Sequence, residues 1–200
     1  LWGVSKGAEF ALIAASREPW VKAVAAIVPS DVVWEGWGRP GRPSSFAYAG
    51  KPLPAVPYDD IESELRKFET GGRADLRRAH DSGRRLNPDS VAAARIPVER
   101  FAGPLLVAGG DADRIWGSGP MAEAIADARR KAGRPVTLVR EADAGHGLAG
   151  PGLEPARWFV FGGGTDAGNA RARLAAWAET LRLFDGALKP STGRAAAARP

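Results

Sequence analysis

Leu1-Trp2-Gly3-Val4-Ser5-Lys6-Gly7 opens the chain and runs directly into a helix-forming stretch at residues 8–15. Its Gly-x-Ser-x-Gly pattern is typical of a strand that turns sharply into a helix, with the serine strained at the turn. We expect glycine at both flanking positions because strand and helix crowd together there and leave no space for a Cβ. Such a turn would lift the hydroxyl of Ser5 above a sheet, close to the N-terminus of the following helix. The motif alone also fits a glycine-rich turn before a surface helix.

Length and composition predict one globular domain. The chain has 200 residues, of which 44% are hydrophobic and 26% charged, which suffices for a substantial core. It contains no apolar run long enough to span a membrane, and residues 1–28 lack the features of a signal peptide. There is no cysteine, which excludes disulfides and thiolate chemistry and fits a reducing compartment. We therefore expect a cytoplasmic protein without a membrane span.

The net charge of +5 would favour anionic ligands, nucleic acid among them. However, the basic residues alternate with acidic ones, as they do between Glu64 and Glu69. Aromatic residues are not interleaved with the basic ones in the way that a nucleic-acid surface requires. A nucleic-acid partner is therefore not expected.

The first elements alternate between helix and strand. Residues 8–17 have the closely spaced apolar side chains of a helix that is buried against a sheet, and Glu18-Pro19 would end this helix. Residues 21–28 form a continuous apolar run that is typical of a buried strand. Strand, helix and strand in this order predict a parallel sheet with right-handed crossovers.

Residues 31–95 interrupt this alternation with an aromatic stretch, a segment rich in Gly and Pro, and a charged segment that is helical in parts. An insertion between two strands of a parallel sheet would lie over their C-terminal ends, where ligands bind. Two interpretations of its aromatic residues stay open: they line an acyl pocket, or they pack the insertion onto the body. These residues are Trp34, Trp37, Phe46 and Tyr48.

Regular alternation resumes after residue 95. Residues 104–110 and 135–139 are predicted strands, and residues 121–131 form an amphipathic helix. Residues 167–183 form a last helix, which is followed by a small, polar segment at 189–200 that we expect to be disordered. The last helix carries a stripe of large apolar residues: Leu174, Trp177, Leu181 and Phe184.

Two loops that follow predicted strands contain the other candidate catalytic residues. The first is Gly110-Asp111-Ala112-Asp113-Arg114-Ile115-Trp116, and the second is Ala144-Gly145-His146-Gly147. Serine, aspartate and histidine would then follow successive strands in the chain order of one class of serine hydrolase. A serine needs a base near pH 7 to lose its proton, and a carboxylate fixes the tautomer of the histidine that acts as this base. We therefore predict a triad of Ser5, Asp113 and His146.

Alternatives exist for each member of this triad. The acid could cap the turn before the following helix, and Asp111 is the second candidate for the orienting acid. His146 could be an exposed loop residue between glycines. His80, within the charged run Arg77-Arg78-Ala79-His80-Asp81, is expected on a solvated face. Two histidines without ligand spacing do not predict a metal site, and no cofactor is expected.

Taken together, these motifs resemble the C-terminal catalytic domain of the family of acyl-CoA thioesterases and bile acid-CoA:amino acid N-acyltransferases. The resemblance covers residues 1–188. Besides the first seven residues and the two loops, it is carried by three short stretches: Tyr48-Ala49-Gly50-Lys51-Pro52-Leu53-Pro54, Ile96-Pro97-Val98-Glu99-Arg100 and Phe161-Gly162-Gly163-Gly164.

The resemblance implies an α/β-hydrolase fold, C-terminal portion, with a parallel sheet, helices on both faces and no N-terminal strands. It implies that Ser5 is the nucleophile, Asp113 the orienting acid and His146 the base, and that the N–H of Lys6 donates to the oxyanion. A serine rather than a cysteine at the sharp turn between the first strand and helix (residues 3–7, here called the elbow) goes with hydrolysis of acyl thioesters such as acyl-CoA. Three alternatives remain: another hydrolase acting on dienelactones or carboxylesters, an acyltransferase acting on amino acids, and an inactive truncated remnant.

Overall fold

A computed structural model describes residues 1–37, 43–71, 74–151 and 161–189. Strands and helices alternate at both ends of the chain, and a short hairpin and three helices lie between them. In order, the elements are β1 (Trp2–Val4), α1 (Lys6–Ala15), β2 (Val24–Ile27), β3 (Ala47–Tyr48), β4 (Lys51–Pro52), α2 (Ile61–Glu69), α3 (Leu76–Leu86), α4 (Pro88–Ala94), a 3₁₀ turn (Val98–Arg100), β5 (Leu105–Gly110), α5 (Ser118–Lys131), β6 (Val136–Glu141) and α6 (Asp166–Leu188). The disordered tail predicted at 189–200 lies outside the described residues except for Lys189.

The main sheet has four parallel strands in the order β1-β2-β5-β6. Gly3 pairs with Ala26, and Ala26 pairs with Val107 in the next strand. Because all four strands run in the same direction, their C-terminal ends meet at one edge of the sheet. The predicted parallel sheet is thereby confirmed, although β2 is shorter than the apolar run at residues 21–28.

Helices cover both faces of the sheet, as expected for a parallel sheet with buried strands. On one face, Val24 and Val107 pack in a core with residues of α1 and α5. On the other face, Ile27 and Ala108 pack against Ala172 and Ala176 of α6. Alternate strand residues thus serve opposite cores. Across the described ranges, no helix is both long enough and apolar enough to cross a membrane.

The inward face of α6 consists of small residues and not of the predicted apolar stripe. Its buried positions are Gly168, Ala172, Ala176 and Thr180, and a Cβ at Gly168 would overlap the carbonyl of Asp143. The helix can therefore lie very close to the sheet. The large residues point elsewhere: Leu174 and Leu181 are 45% and 49% exposed. Trp177 of the same stripe meets Trp2 of β1 edge-on, with ring centroids 6.5 Å apart.

The insertion at residues 31–95 packs onto the body through a buried group of aromatic rings. Trp34 is fully buried and stacks on Tyr58 with ring centroids 5.2 Å apart. Backbone bridges at Val32 and Trp34 tie the start of the insertion to its later parts. Trp37 is 46% exposed, and its indole N–H donates to the hydroxyl of Tyr58. Trp34 thus fits the packing interpretation that the sequence left open.

The expectation of a solvated His80 is wrong, because this side chain is fully buried. Its ring meets those of Trp34, Tyr58 and Trp116 edge-on, at centroid distances of 4.7, 4.9 and 5.4 Å. Its Nδ1 lies 2.7 Å from the carbonyl oxygen of Leu76, one turn earlier in α3. The charged neighbours of His80 in the sequence indicated an exposed side chain. Helix α3 instead turns its charged residues outward and this histidine inward.

Burial makes His80 a source of acid sensitivity. The pKa of His80 is lowered to about 3, mainly by burial and to a smaller extent by the charges of Lys6, His146 and Arg77, while the bond to Leu76 opposes the shift. The unfolded chain binds a proton at this residue below about pH 6.5, whereas the folded chain does not. The free energy of unfolding should therefore fall by about 1.4 kcal/mol per pH unit below that pH.

This prediction is tested by urea unfolding of the wild type and of His80→Phe between pH 7.5 and 5.5, a range above the ordinary pKa values of Asp and Glu. The variant keeps an aromatic ring in the cluster but cannot titrate, so its stability should depend less on pH. All other titratable groups are the same in the two proteins, so their contributions cancel in the comparison. Equal pH dependence in the two proteins would contradict the prediction.

Candidate active site

Ser5 stands at the junction of β1 and α1 in a strained backbone conformation. Its φ is 57° and its ψ is −123°, a region that residues other than glycine rarely adopt. The N–H of Ser5 donates to the carbonyl of Ile27 at 2.9 Å, and its own carbonyl accepts from Ala8 and Glu9 in α1. The turn is therefore fixed to the sheet on one side and to the helix on the other.

Close packing excludes a side chain at only one of the two glycines that flank Ser5. A Cβ at Gly3 would overlap the carbonyl of Gly7, so strand and helix do touch at this point. A Cβ at Gly7, in contrast, would meet no described atom within 4 Å. The expected crowding at both positions is thus wrong for Gly7, because its side-chain direction leads away from the strand.

The structure brings Ser5, His146 and Asp113 together from three different loops. His146 Nε2 lies 2.8 Å from the Oγ of Ser5, and His146 Nδ1 lies 2.7 Å from Oδ2 of Asp113. Asp113 and His146 are both buried, at 2% and 5% exposure. A carboxylate accepts, so Nδ1 carries the proton and Nε2 is left to accept from the Ser5 hydroxyl.

The second candidate acid, Asp111, is directed elsewhere. Its Oδ1 accepts from Nε of Arg140 at 2.8 Å, in an ion pair whose two side chains are each about one third exposed. Oδ1 of Asp113 instead accepts from the backbone N–H groups of Ile115 and Trp116, at 2.8 and 3.3 Å. These bonds leave Oδ2 of Asp113 for His146.

Trp116 contacts both Asp113 and His146. Its indole N–H donates to the carbonyl of Val28 at 3.2 Å, and its ring lies edge-on to that of His146 at 5.1 Å. Val28 is itself strained, with a φ of 44° that is unusual for a β-branched residue. The place of Trp116 in the acid loop was evident from the sequence, but its contact with His146 was not.

Lys6 contributes a backbone donor beside Ser5 and a side chain in a nearly buried ion pair. Its N–H is the first of α1 and has no acceptor within the helix. Its ammonium lies 2.7 Å from Oε2 of the fully buried Glu9, whose Oε1 accepts from the N–H of Trp34 at 3.1 Å. Burial raises the pKa of Glu9, and the ammonium of Lys6 opposes that shift. Glu9 thus ties the elbow to the insertion, a role that the sequence did not indicate.

Backbone hydrogen bonds join the acid loop (residues 110–116) to the base loop (residues 144–147). The carbonyl of Gly162 accepts from the N–H of Arg114 at 3.1 Å and from that of His146 at 2.9 Å. The N–H of Ala112 donates directly to Ala144 at 3.0 Å. The shared carbonyl of Gly162 and the direct bond between Ala112 and Ala144 therefore set the distance between the two loops.

Asn169 of α6 completes this cross-link with its side-chain amide. Its oxygen accepts from the N–H of Gly145 at 2.7 Å, and its nitrogen donates to the carbonyl of Gly163 at 3.2 Å. The Phe161-Gly162-Gly163-Gly164 stretch of the sequence thus joins the acid loop, the base loop and α6.

This arrangement has the geometry that nucleophilic catalysis by a serine requires. A hydroxyl lies within hydrogen-bond distance of an imidazole, and a buried carboxylate fixes the tautomer of that imidazole. Within the part of the chain that the structure describes, no group of three or more His, Asp or Glu side chains could hold a metal ion. The N–H of Lys6 lies at the N-terminus of α1, directly after Ser5, where the helix dipole is positive.

Two comparisons with known proteins bear on this site. A family model described as "BAAT / Acyl-CoA thioester hydrolase C terminal" matches residues 1–190. None of the curated proteins matches the chain.

The backbone cross-link predicts a strong effect of Gly163→Ala on the reactivity of Ser5. Gly163 has a φ of +82°, and a Cβ there would overlap the carbonyl of Ala112. We expect a loss of about 1–2 kcal/mol in the free energy of unfolding from the left-handed conformation, together with much slower labelling of Ser5 by a fluorophosphonate.

Gly133→Ala is the matched control, because Gly133 also has a positive φ, of +65°, but no described atom lies within 4 Å of its Cβ position. The control should lose only the stability that its left-handed conformation costs an alanine, and it should keep the labelling rate. Equal labelling rates for both variants would show that the cross-link does not position the site.

Proposed function

Because the chain belongs to the family of BAAT and acyl-CoA thioester hydrolase C-terminal domains, we propose that it hydrolyses acyl thioesters, with acyl-CoA as the substrate class. The observation that carries this proposal is the pair of hydrogen bonds made by His146, 2.8 Å to Ser5 and 2.7 Å to Asp113. Coenzyme A would then be the leaving group of the substrate and not a cofactor.

In the first half of the proposed reaction, Nε2 of His146 takes the proton of Ser5 as Oγ attacks the thioester carbon. Negative charge then develops on the carbonyl oxygen. The N–H of Lys6 and the positive end of α1 would stabilise this oxyanion. As the tetrahedral intermediate collapses, the C–S bond breaks, the thiolate leaves with the proton from His146, and the acyl group stays on Ser5.

In the second half, His146 takes a proton from water, and the resulting hydroxide attacks the acyl carbon of the Ser5 ester. The intermediate collapses with return of the proton to Oγ of Ser5. The products are a carboxylic acid and a free thiol, and the enzyme returns to its starting state. Asp113 would accept the hydrogen bond from Nδ1 throughout and stabilise the imidazolium that forms in each half.

The residue at the elbow favours hydrolysis over acyl transfer to an amino acid. In the family that this chain resembles, serine at this position goes with hydrolysis and cysteine with transfer. The present chain has Ser5 and no cysteine at all, so a thiol nucleophile is excluded. An oxygen ester of Ser5 is the intermediate that water must then resolve.

The decisive experiment measures acyl-CoA hydrolysis by the wild type and by Ser5→Ala, with a thiol reagent that detects released coenzyme A. We expect kcat of the variant to fall by on the order of 10⁶-fold. Alanine and serine carry the same Cβ, so the strain of the turn and the free energy of unfolding should change little. Ser63→Ala is the control and should keep full activity. Ser63 lies in α2, and its hydroxyl accepts from Arg66.

Three further outcomes would each change the proposal. Faster turnover of oxygen esters than of matched thioesters would indicate a carboxylester hydrolase. An amide product in the presence of glycine or taurine would indicate acyl transfer. A folded wild type that neither hydrolyses thioesters nor reacts with a fluorophosphonate at Ser5 would contradict the proposed nucleophile.

A further inference from the structure

Arg77, in the first turn of α3, makes two hydrogen bonds to the acid loop. Its backbone N–H donates to the carbonyl of Arg114 at 2.9 Å. Its Nη1 donates to the carbonyl of Asp113, also at 2.9 Å. A single residue of the insertion thus holds two consecutive carbonyls, one of which belongs to the predicted triad acid.

The guanidinium of Arg77 is itself oriented from two sides. Its Nε donates to Oδ2 of Asp81 at 2.6 Å, one turn further along α3. Its Nη2 lies beside Gly117, where a Cβ would be 3.2 Å from that nitrogen. The side chain is 29% exposed, so most of it is shielded from water. The bond to Asp81 and the space left by the glycine at residue 117 together define one position for the guanidinium.

The bond to the Asp113 carbonyl bears directly on the orientation of the triad. The Asp113 carboxylate is short, and its direction is set by the backbone to which it is attached. Oδ2 must stay 2.7 Å from Nδ1 of His146 for the imidazole to keep its tautomer and its orientation toward Ser5. Displacements of about 1 Å in such an arrangement are enough to slow a reaction by about 100-fold.

We propose that Arg77 is a positioning residue of the active site, through which the insertion holds the backbone of Asp113 so that its carboxylate keeps His146 aligned with Ser5. This inference rests on the proposed function for its kinetic consequences. Its structural part, the alignment of His146 by Asp113, requires no substrate and is tested separately.

Another arginine of α3 offers a matched control. Arg84 forms a bidentate pair with Asp31, at 2.7 and 3.1 Å. It ties the same helix to Asp31, where the insertion begins after β2, and in the described parts of the chain it makes no hydrogen bond to the acid loop. Loss of Arg84 therefore weakens the docking of α3 without removing a bond to Asp113.

The kinetic experiment compares Arg77→Gln, Arg77→Lys and Arg84→Gln with the wild type on one acyl-CoA. For Arg77→Gln we expect kcat to fall about 10- to 100-fold, with KM changed less than about twofold. Arg77→Lys should recover part of kcat, because an ammonium can still donate to the Asp113 carbonyl but cannot also bind Asp81 in the same way. Arg84→Gln should keep kcat even where its free energy of unfolding falls.

The second readout is the proton resonance of His146 Nδ1–H in its bond to Asp113, measured without substrate. The chain has only two histidines, and His80 donates to a backbone carbonyl, so the two signals are assigned with His80→Phe. We expect the His146 signal to shift and broaden in Arg77→Gln and to stay unchanged in Arg84→Gln. Gly117→Ala, which crowds Nη2 of Arg77 at an ordinary φ of −75°, should shift the signal in the same direction.

Two results would overturn the inference. One is a folded Arg77→Gln whose His146 signal and kcat match the wild type. The other is an equal change in Arg77→Gln and Arg84→Gln, which would mean that α3 acts only through its docking. If the wild type hydrolyses no acyl thioester, the proposed function fails, and the His146 signal alone still decides the role of Arg77.

Discussion

The backbone of Ser5 is the constraint on which the rest of the site depends. A φ of 57° at a residue with a side chain costs about 1–3 kcal/mol, and the surrounding structure must supply that energy. It does so through the hydrogen bond from Ser5 to Ile27 and through the contact between Gly3 and Gly7. Because Ile27 belongs to β2, the turn is held by the sheet itself and not by its own loop.

The site is completed by groups that approach Ser5 from opposite sides. From the sheet side, the acid and base loops follow β5 and β6, whose C-terminal ends lie at the same edge as that of β1. From the other side, the insertion contacts the elbow through the Glu9–Trp34 bond and the acid loop through Arg77. Both sets of contacts join residues that are far apart in the sequence, so the site exists only in the folded chain.

The sequence was sufficient to predict the parallel sheet, its helices and the three residues that meet at the site. This was possible because each signal is local: apolar runs, glycines and turn residues mark the strand ends. His80 and Arg77 could not be predicted in this way. Both lie in one charged run, and their partners, Trp116 and Asp113, are more than 30 residues away. Hydrophobic periodicity also failed for α6, since a helix packed tightly on a sheet presents small residues to it and leaves larger ones outside.

The backbone cross-link at Gly162 determines which positions of the acid loop can be substituted freely. Acid loop and base loop are joined largely by main-chain atoms, so the side chains of Ala112 and Arg114 take no part in the hydrogen bonds that set their spacing. A combinatorial library at these two positions can therefore vary the side chains of the acid loop while the glycines keep the two loops in place. Substitutions in these loops are best introduced at the positions between the glycines and not at the glycines themselves.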